Sequence, residues 1–555
     1  MGSKIIPGVY AEVLLNGTGA PVQDDSLDVL GIIGTFSRGP VNTPTAVADL
    51  AQAALLFGDI DNSQSTNFLT GMWAVKLAMD QGASRVVICR IGQDGVIETA
   101  SLDIKDLVTG ATSGAVTGSG SPQAVTVASN PITAGFLVGQ TIAVGGAAPE
   151  DVVITALSAT TITGVFTLSH LSGVSLTQEA VVATVSAPSP GTFGNLYTVQ
   201  VAAGTLSNTV KLTLTGDGRT EVWDNLTMTP GTPRYLPDFL NANSTLVVIA
   251  VGVSPNLPAV LAPTVLSGGD NGNVTADSDY IGVATPAPTG LFALDTQNVN
   301  VIVCAGQSSA SIHTAMDVHC QAKGDRIAVV GGVIAESKAA TLARAAALAS
   351  DRVVLAFPGI QEFDALANAT VKLPSAFTAA CIAGRLCTLD PYKSPSNKQI
   401  RGILGMEKDT NDADLADLIQ GGVMVVTQKG RLGFRIRDGL TTTISFPFNQ
   451  VNIRRLFDQI VRGVTEGNQD LVSDPNNEDL WHALEQGIND FLDKLKSQGA
   501  IRLFYCKVYS SLTDQKAGFL YADVGIFPTY AADFIVIRIK PNDTGSFDTS
   551  VVANQ

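Results

Sequence analysis

Residues 451–464 read VNIRRLFDQIVRGV, and their spacing decides how the surrounding chain folds. Ile453, Leu456, Phe457, Ile460, Val461 and Val464 recur at helical intervals while Arg454, Arg455, Asp458 and Arg462 take the other side, which predicts a helix with one buried face. A second helix opens at DPNNEDLWHAL, where Asn476 or Asn477 can cap free N–H groups and Glu478 and Asp479 complement the positive end of the dipole. Its apolar stripe is Leu480, Leu484, Ile488, Phe491, Leu492 and Leu495, with Lys494 and Lys496 in the last turn and Gly499 placed to end it. Strands IRLFYCKV and GFLYADVGIF follow, then DFIVIRIK, in which Ile535, Ile537 and Ile539 face one way and Phe534, Val536, Arg538 and Lys540 the other.

Outward from this α+β end, a chain of 555 residues is too long for one core and implies three or four domains. With 45% hydrophobic and only 15% charged residues, its surface is poor in charge, and further copies of itself are a natural cover. A formal net charge of −16 argues against a general attraction to nucleic acid or anionic membrane. The six cysteines, Cys89, Cys304, Cys320, Cys381, Cys387 and Cys506, lack C-x-x-C spacing and read as buried, reduced thiols. Pro7 and Gly8 interrupt the apolar run at the start, so no signal-peptide core is expected there, and Pro255, Asn256 and Pro258 break the longest apolar segment.

At the other end, Ile5 to Leu15 alternate like a strand, but Asn16, Gly17, Gly19 and Pro21 separate it from any local partner. An isolated strand leaves its backbone groups unsatisfied, so it is expected to add to the edge of a sheet on another molecule. Asp28 to Gly34 and RVVICRI read as strands around helices Ala46 to Phe57 and Phe68 to Asp80, a small α/β unit. From Leu107 to Pro149 there is no Lys, Arg, Asp or Glu, and short β-branched runs there and beyond predict an inserted sandwich or barrel. Strands LYTVQV, VKLTLT and TLVVIAVG come next, with a helix near Leu236 to Asn241. Strands NVIVCAG, RIAVVGG and RVVLAF then alternate with helices Ser308 to Lys323 and Ser337 to Ser350, a βαβαβ run that predicts a parallel sheet.

Candidate chemistry is thin. The loops Ala305-Gly306-Gln307-Ser308 and Gly331-Gly332-Val333 make no G-x-G-x-x-G, and no G-x-x-x-x-G-K-[ST] occurs, so no cofactor is expected. His313 and His319, six positions apart, sit about 240° around a helix from one another and cannot share a metal. With only His170 and His482 besides, and no G-x-S-x-G, a Ser-His-Asp site has few members to draw on. Trp73, Trp223 and Trp481 are expected to pack in cores. A group of cations stands out instead: Lys429, Arg431, Arg435, Arg437, Arg454, Arg455 and Arg462, with only Asp438 and Asp458 among them. They either pair within the molecule with the acidic stretch Glu407 to Asp417 or present a basic face to an acidic partner, a role that Lys494 and Lys496 could share.

The C-terminal order, with RRL on one helix, N-x-x-L-W on the next and a late strand after I-F-P-x-Y-x-A-x-x-I, resembles the C-terminal domain of contractile tail sheath proteins. Pro7-Gly8-Val9-Tyr10, VLGIIGTFSRGP with Phe57-Gly58, GTFGNLYTVQV from Gly191, LSGGDNG from Leu266 and DYIGV from Asp279 resemble further parts of that family in the same order. GFRIRDGL, placed on a helix after Gly433, departs from the family's Gly-x-Arg-Thr motif, and RVVLAFPGI lacks its aromatic pair.

The resemblance implies a multidomain α/β structural subunit, not an enzyme: a mixed core with a Rossmann-like βαβ run, an inserted all-β outer domain, and an α+β C-terminal domain with exchanged terminal strands. The boundaries expected are an arm and hinge at 1–25, a core at 26–100 and 190–360, and the inserted β domain at 101–189. A connecting region at 361–425, an inner C-terminal domain at 426–540 and a polar tail at 541–555 complete the chain. Ile6, Val9, Tyr10 and Val13, with Phe534, Val536, Ile537 and Ile539, are the expected inter-subunit strands, hinged at Gly17, Gly19 and Pro21. Arg431, Arg435, Arg437, Arg454, Arg455, Lys494 and Lys496 are candidate contacts to an inner tube or a neighbouring copy. Further copies, the inner tail tube protein, the baseplate and a tail terminator are the implied partners, in a virion tail assembled in a bacterial cytoplasm or in a headless contractile device. An α/β enzyme with a β-rich binding domain, and a self-assembling surface-layer protein or adhesin, are the other readings open to the composition.

Overall fold

A computed structural model describes residues 27–65, 68–93, 95–272, 276–467, 471 and 473–533. At its centre is an eight-stranded sheet in the order Thr45–Val47, Val86–Ile91, Leu30–Thr35, Val301–Cys304, Ile327–Gly331, Val353–Phe357, Val423–Gln428, Phe434–Ile436. The six inner strands are parallel, and each outermost strand runs antiparallel to its neighbour. Continuous apolar runs such as LGIIGT and VVLAF suit strands buried on both faces. Alternate residues feed two cores: Ile32, Ile88, Val303 and Val354 point to one, and Ile33, Cys89, Ile302 and Leu355 to the other. Helices Leu50–Phe57, Gly71–Met79 and Ser375–Cys387 cover the first face; Ala310–Lys323, Lys338–Leu348 and Asp412–Gln420 cover the second.

The expected connecting region is therefore part of this core. It supplies the strand Val423–Gln428 and the helix Ser375–Cys387, in which every residue but Arg385 is buried. At Gly384 a Cβ would lie 2.3 Å from the Ala78 carbonyl oxygen, so glycine is what lets this helix approach Gly71–Met79 so closely.

The 190–272 stretch, expected in the same core, builds its own. Strands Arg219–Leu226, Val210–Gly216, Thr198–Ala203 and Leu261–Val265 form one antiparallel sheet, and Val248–Val251, Val181–Ser186 and Ser101–Lys105 form a second. Val199, Leu212 and Leu214 from the first share a core with Ile104, Val185 and Ile249 from the second. Both ends of the expected 101–189 insertion thus belong to this sandwich. The part that folds around its own core lies between them, as two small sheets around Val125, Phe136, Ile142, Val152, Ile162, Phe166 and Leu176. Asp106 joins the two units, accepting hydrogen bonds from Ala180 N, Gln178 Nε2, Ser254 Oγ and Asn256 Nδ2.

After the central sheet, helix Val451–Gly467 leads to helix Glu478–Ser497, strand Ile501–Tyr509 and strand Tyr521–Pro528, as the sequence predicts. The segment after Gly433 is the short strand Phe434–Ile436, not a helix. Among the described residues no helix is long and apolar enough to cross a membrane.

Candidate assembly interface

Helix Glu478–Ser497 is capped by the Asn477 side chain, which accepts from Leu480 N at 2.9 Å. Leu484, Ile488, Phe491, Leu492 and Leu495 pack with Leu456, Ile460 and Val464 of the preceding helix. Onto this pair lie Ile501, Val508 and Val524 of the hairpin Ile501–Tyr509/Tyr521–Pro528. An irregularity in register after Ile501, with alternation beyond it, puts Leu503, Tyr505, Tyr509, Tyr521 and Phe527 on the hairpin's other face, all exposed, Leu503 by 65%. Tyr509 stacks on Tyr521 and Tyr521 on Phe519, while Tyr530 bridges Phe527 and Phe446. The strip was visible in IRLFYCKV as apolar residues on both phases of the alternation, a signal absent from a strand with one wet face.

This hairpin is a sheet of two strands, and among the described residues no further strand pairs with either outer edge. A two-stranded sheet has little stability alone and an open edge invites another chain. The expected exchanging strands, Ile6, Val9, Tyr10 and Val13 with Phe534, Val536, Ile537 and Ile539, lie outside the described residues, as do Gly17, Gly19 and Pro21.

The candidate cations divide into two sets. Arg454 and Arg455 are not surface groups: they are 3% and 2% exposed, and Arg462 is buried with them. Asp458 accepts from both Nη atoms of Arg352 at 3.0 Å and from Nε and Nη2 of Arg454 at 3.0 and 2.7 Å. Arg454 also reaches Asp351 at 3.1 Å and lies over the Phe448 ring. Arg455 donates to the carbonyls of Leu27 and Leu389. The helix they occupy is thus buried on its polar side too, against the central sheet's flank, with partners about 100 residues upstream. The acidic stretch Glu407 to Asp417 pairs elsewhere, since Asp414 and Asp417 hold Lys338 and Glu407 accepts from Ala335 N.

Arg431, Arg435 and Arg437 stay together at the last strand of the central sheet. Lys494 and Lys496 are exposed at the end of their helix, Lys496 lying over the Phe504 ring.

At the carboxyl ends of strands Val301–Cys304 and Ile327–Gly331, where an open α/β sheet would hold a ligand, protein groups pack closely. Gly332 N donates to Ser375 Oγ at 2.6 Å, and a Cβ on Gly331 would meet the Ser375 carbonyl at 2.2 Å. Arg344 spans Glu336 and the Ser308 carbonyl. Burial pulls His313 and His319 down to about 4, and His319 Nε2 accepts from Arg326. Five of the six cysteines are buried and none is in a disulfide. Trp73 is in the core, its indole N–H donating to the Asp61 carbonyl.

Among the described residues, the last domain of this multidomain α/β body ends in a two-stranded sheet with an exposed aromatic face. Comparison with known proteins gives its kind. Residues 278–442 match the family described as phage tail sheath protein central domain, and residues 445–541 match the phage tail sheath C-terminal domain. The tail sheath protein of Bacillus phage SP01 is 27% identical over 301 residues, 52% of this chain and 50% of that one. A putative prophage major tail sheath protein of Pseudomonas aeruginosa is 26% identical over 262 residues, 46% of this chain and 66% of that one. These matches span less than two thirds of either relative. The same fold is seen in the sheath tail protein of Listeria innocua, with a TM-score of 0.59 at 14% identity over 92% of this chain and 93% of that one. That of Desulfitobacterium hafniense gives 0.54 at 13% identity, over 94% and 96%. Residues 278–442 and 445–541 are thus similar to the central and C-terminal domains of phage tail sheath proteins, and the described fold is that of solved sheath tail proteins.

Proposed function

We propose that this protein is the structural subunit of a contractile sheath, polymerising helically around an inner tube and shortening to drive that tube through a target envelope. The observation that carries it is the hairpin Ile501–Tyr509/Tyr521–Pro528, whose outer edges pair with no further strand among the described residues and whose aromatic face is exposed, within the domain that matches the sheath C-terminal family. Alternating segments at both chain ends, Ile5 to Leu15 and Phe534 to Lys540, would extend that sheet on neighbouring copies. Main-chain hydrogen bonds then persist between molecules while their bodies rotate and translate on the Gly17, Gly19 and Pro21 hinges. The parallel run Val301–Phe357 serves in this scheme as scaffold.

The driving energy is collective: a difference of a few kcal/mol per copy, below ordinary fold stability, summed over many copies. The extended state is held by contacts to the tube and baseplate that the contracted state lacks, since only differential contacts shift a two-state equilibrium. A tail terminator closes the far end, and the assembly sits in a virion tail or a headless contractile device.

Negative-stain imaging of the purified protein with and without residues 1–23 tests the arm. Tubes are expected from the whole chain and mostly monomers from the truncated one. Equal polymerisation by both removes the arm from the mechanism.

A further inference from the structure

The last strand of the central sheet, Phe434–Ile436, gathers a run of cations. Residues 397–401 lie alongside it: Gln399 bridges Arg435, Ile400 N donates to the Phe434 carbonyl and Ile436 N to that of Lys398. The 429–433 turn closes through Lys429 N to the Gly433 carbonyl. Lys398, Arg401, Lys429, Arg431, Arg435 and Arg437 are thereby brought to one edge of a chain whose net charge is −16. Arg385, at the end of its helix, joins them. Burial and then the nearby Arg401 charge lower its pKa, and its Nε is buried without a hydrogen-bond partner.

Among the described residues none of these seven forms an ion pair, and the acids around them bond to other groups. Lys76 holds Asp80, Lys393 holds Asp390, and Asp438, beside Arg437, accepts from Gly439 N without an ion-pair partner among the described residues. The guanidiniums are fixed by neutral oxygens instead: Arg435 donates to the carbonyls of Leu432 and Asn397, and Arg437 to Thr427 Oγ1. Seven cations beside the single carboxylate of Asp438 call for an anionic surface from outside.

This chain offers one. On the solvent side of helix Glu478–Ser497, Asp479 in the first turn and Asp490 and Asp493 about three turns on share one face, all exposed, with Glu478 beside the first and Lys494 at the edge of the last two. We propose that the cationic edge formed by residues 398–401 and 429–437 docks onto this acidic stripe of a second copy. The contact rests on the helical self-assembly proposed above and names one of its lateral interfaces. Exposed ion pairs are individually weak and screened by salt, so several in register give a contact that can form and break.

The test uses the full chain and compares pelletable polymer near physiological salt, with tubes identified by negative stain. Arg401→Glu with Arg431→Glu reverses one side, and Asp490→Lys with Asp493→Lys reverses the other. Neither pair reaches a core, and the monomers should melt together with the wild type. Each double variant alone should lose polymer by about tenfold, and the chain carrying all four substitutions should regain most of it. Wild-type tubes with an indifferent Arg401→Glu/Arg431→Glu variant overturn this contact alone. Loss without rescue by the fourfold chain also overturns it, assigning the edge to a different surface of the neighbouring copy. A wild-type chain that never polymerises overturns the sheath assembly on which the contact rests.

Discussion

His319 shows how one side chain ties folding to pH. Its Nε2 accepts from Arg326 Nη1 at 2.9 Å, which requires the neutral ring, and burial lowers both His319 and His313 to about 4. A histidine with a lowered folded pKa contributes fully above its unfolded value of about 6.5 and loses that contribution as pH falls toward the folded value. Between pH 6.5 and 5 each should therefore remove up to about 2 kcal/mol. Melting temperature is expected to fall across that window, and His319→Gln should flatten the fall. Parallel slopes for wild type and variant would assign the acid sensitivity to other groups. Asp458 is the stronger test of burial. It balances Arg352 and Arg454 away from water, so Asp458→Asn should cost about 3–5 kcal/mol by leaving a buried charge uncompensated. Arg431→Ala, at an exposed site, should fall within about 0.5 kcal/mol of wild type in the same denaturant titration.

At the scale of elements, legibility followed periodicity. Helices Ala310–Lys323, Lys338–Leu348 and Glu478–Ser497 were readable from their spacing and caps, as were the strands between them. SAFTAACIAGRLC carries no stripe to read, because the helix Ser375–Cys387 is enclosed on every side and its pattern is merely apolar throughout. Gly384 inside it looks like a helix breaker in sequence and becomes intelligible only once Ala78 is seen against it. Gly384→Val should therefore give insoluble or strongly destabilised protein, while Gly499→Ala, where a Cβ meets nothing within 4 Å but φ is +80°, should lower stability by only about 1 kcal/mol. Comparable melting of the two variants would deny Gly384 its packing role. For Val451–Gly467 the apolar face was legible and the polar one was misassigned. Arg454, Arg455 and Asp458 look like a solvated face until Asp351, Arg352 and the Leu27 carbonyl arrive from distant parts of the chain.

Across the whole molecule, the way the chain enters and leaves its most self-contained unit makes that unit separable. Ser101–Lys105 and Val181–Ser186 are paired antiparallel, with Lys105 opposite Val181. Asp106 N donates to the Ala180 carbonyl at 2.9 Å, so the chain departs and returns at adjacent points. Everything between has its own core around Phe136, Ile142 and Phe166. Replacing residues 107–179 by Asn-Gly should close Asp106 to Ala180 as a tight hairpin, leaving Asp106 its bonds to Ser254 and Asn256. The shortened chain is expected to fold, with melting lowered by a few degrees at most, and to polymerise as the parent does, because the cationic edge, the acidic helix and the open hairpin all lie elsewhere in the body. Normal folding with failed polymerisation would place an assembly contact in the excised unit, and a collapsed sandwich would show that the unit steadies the strands that carry it.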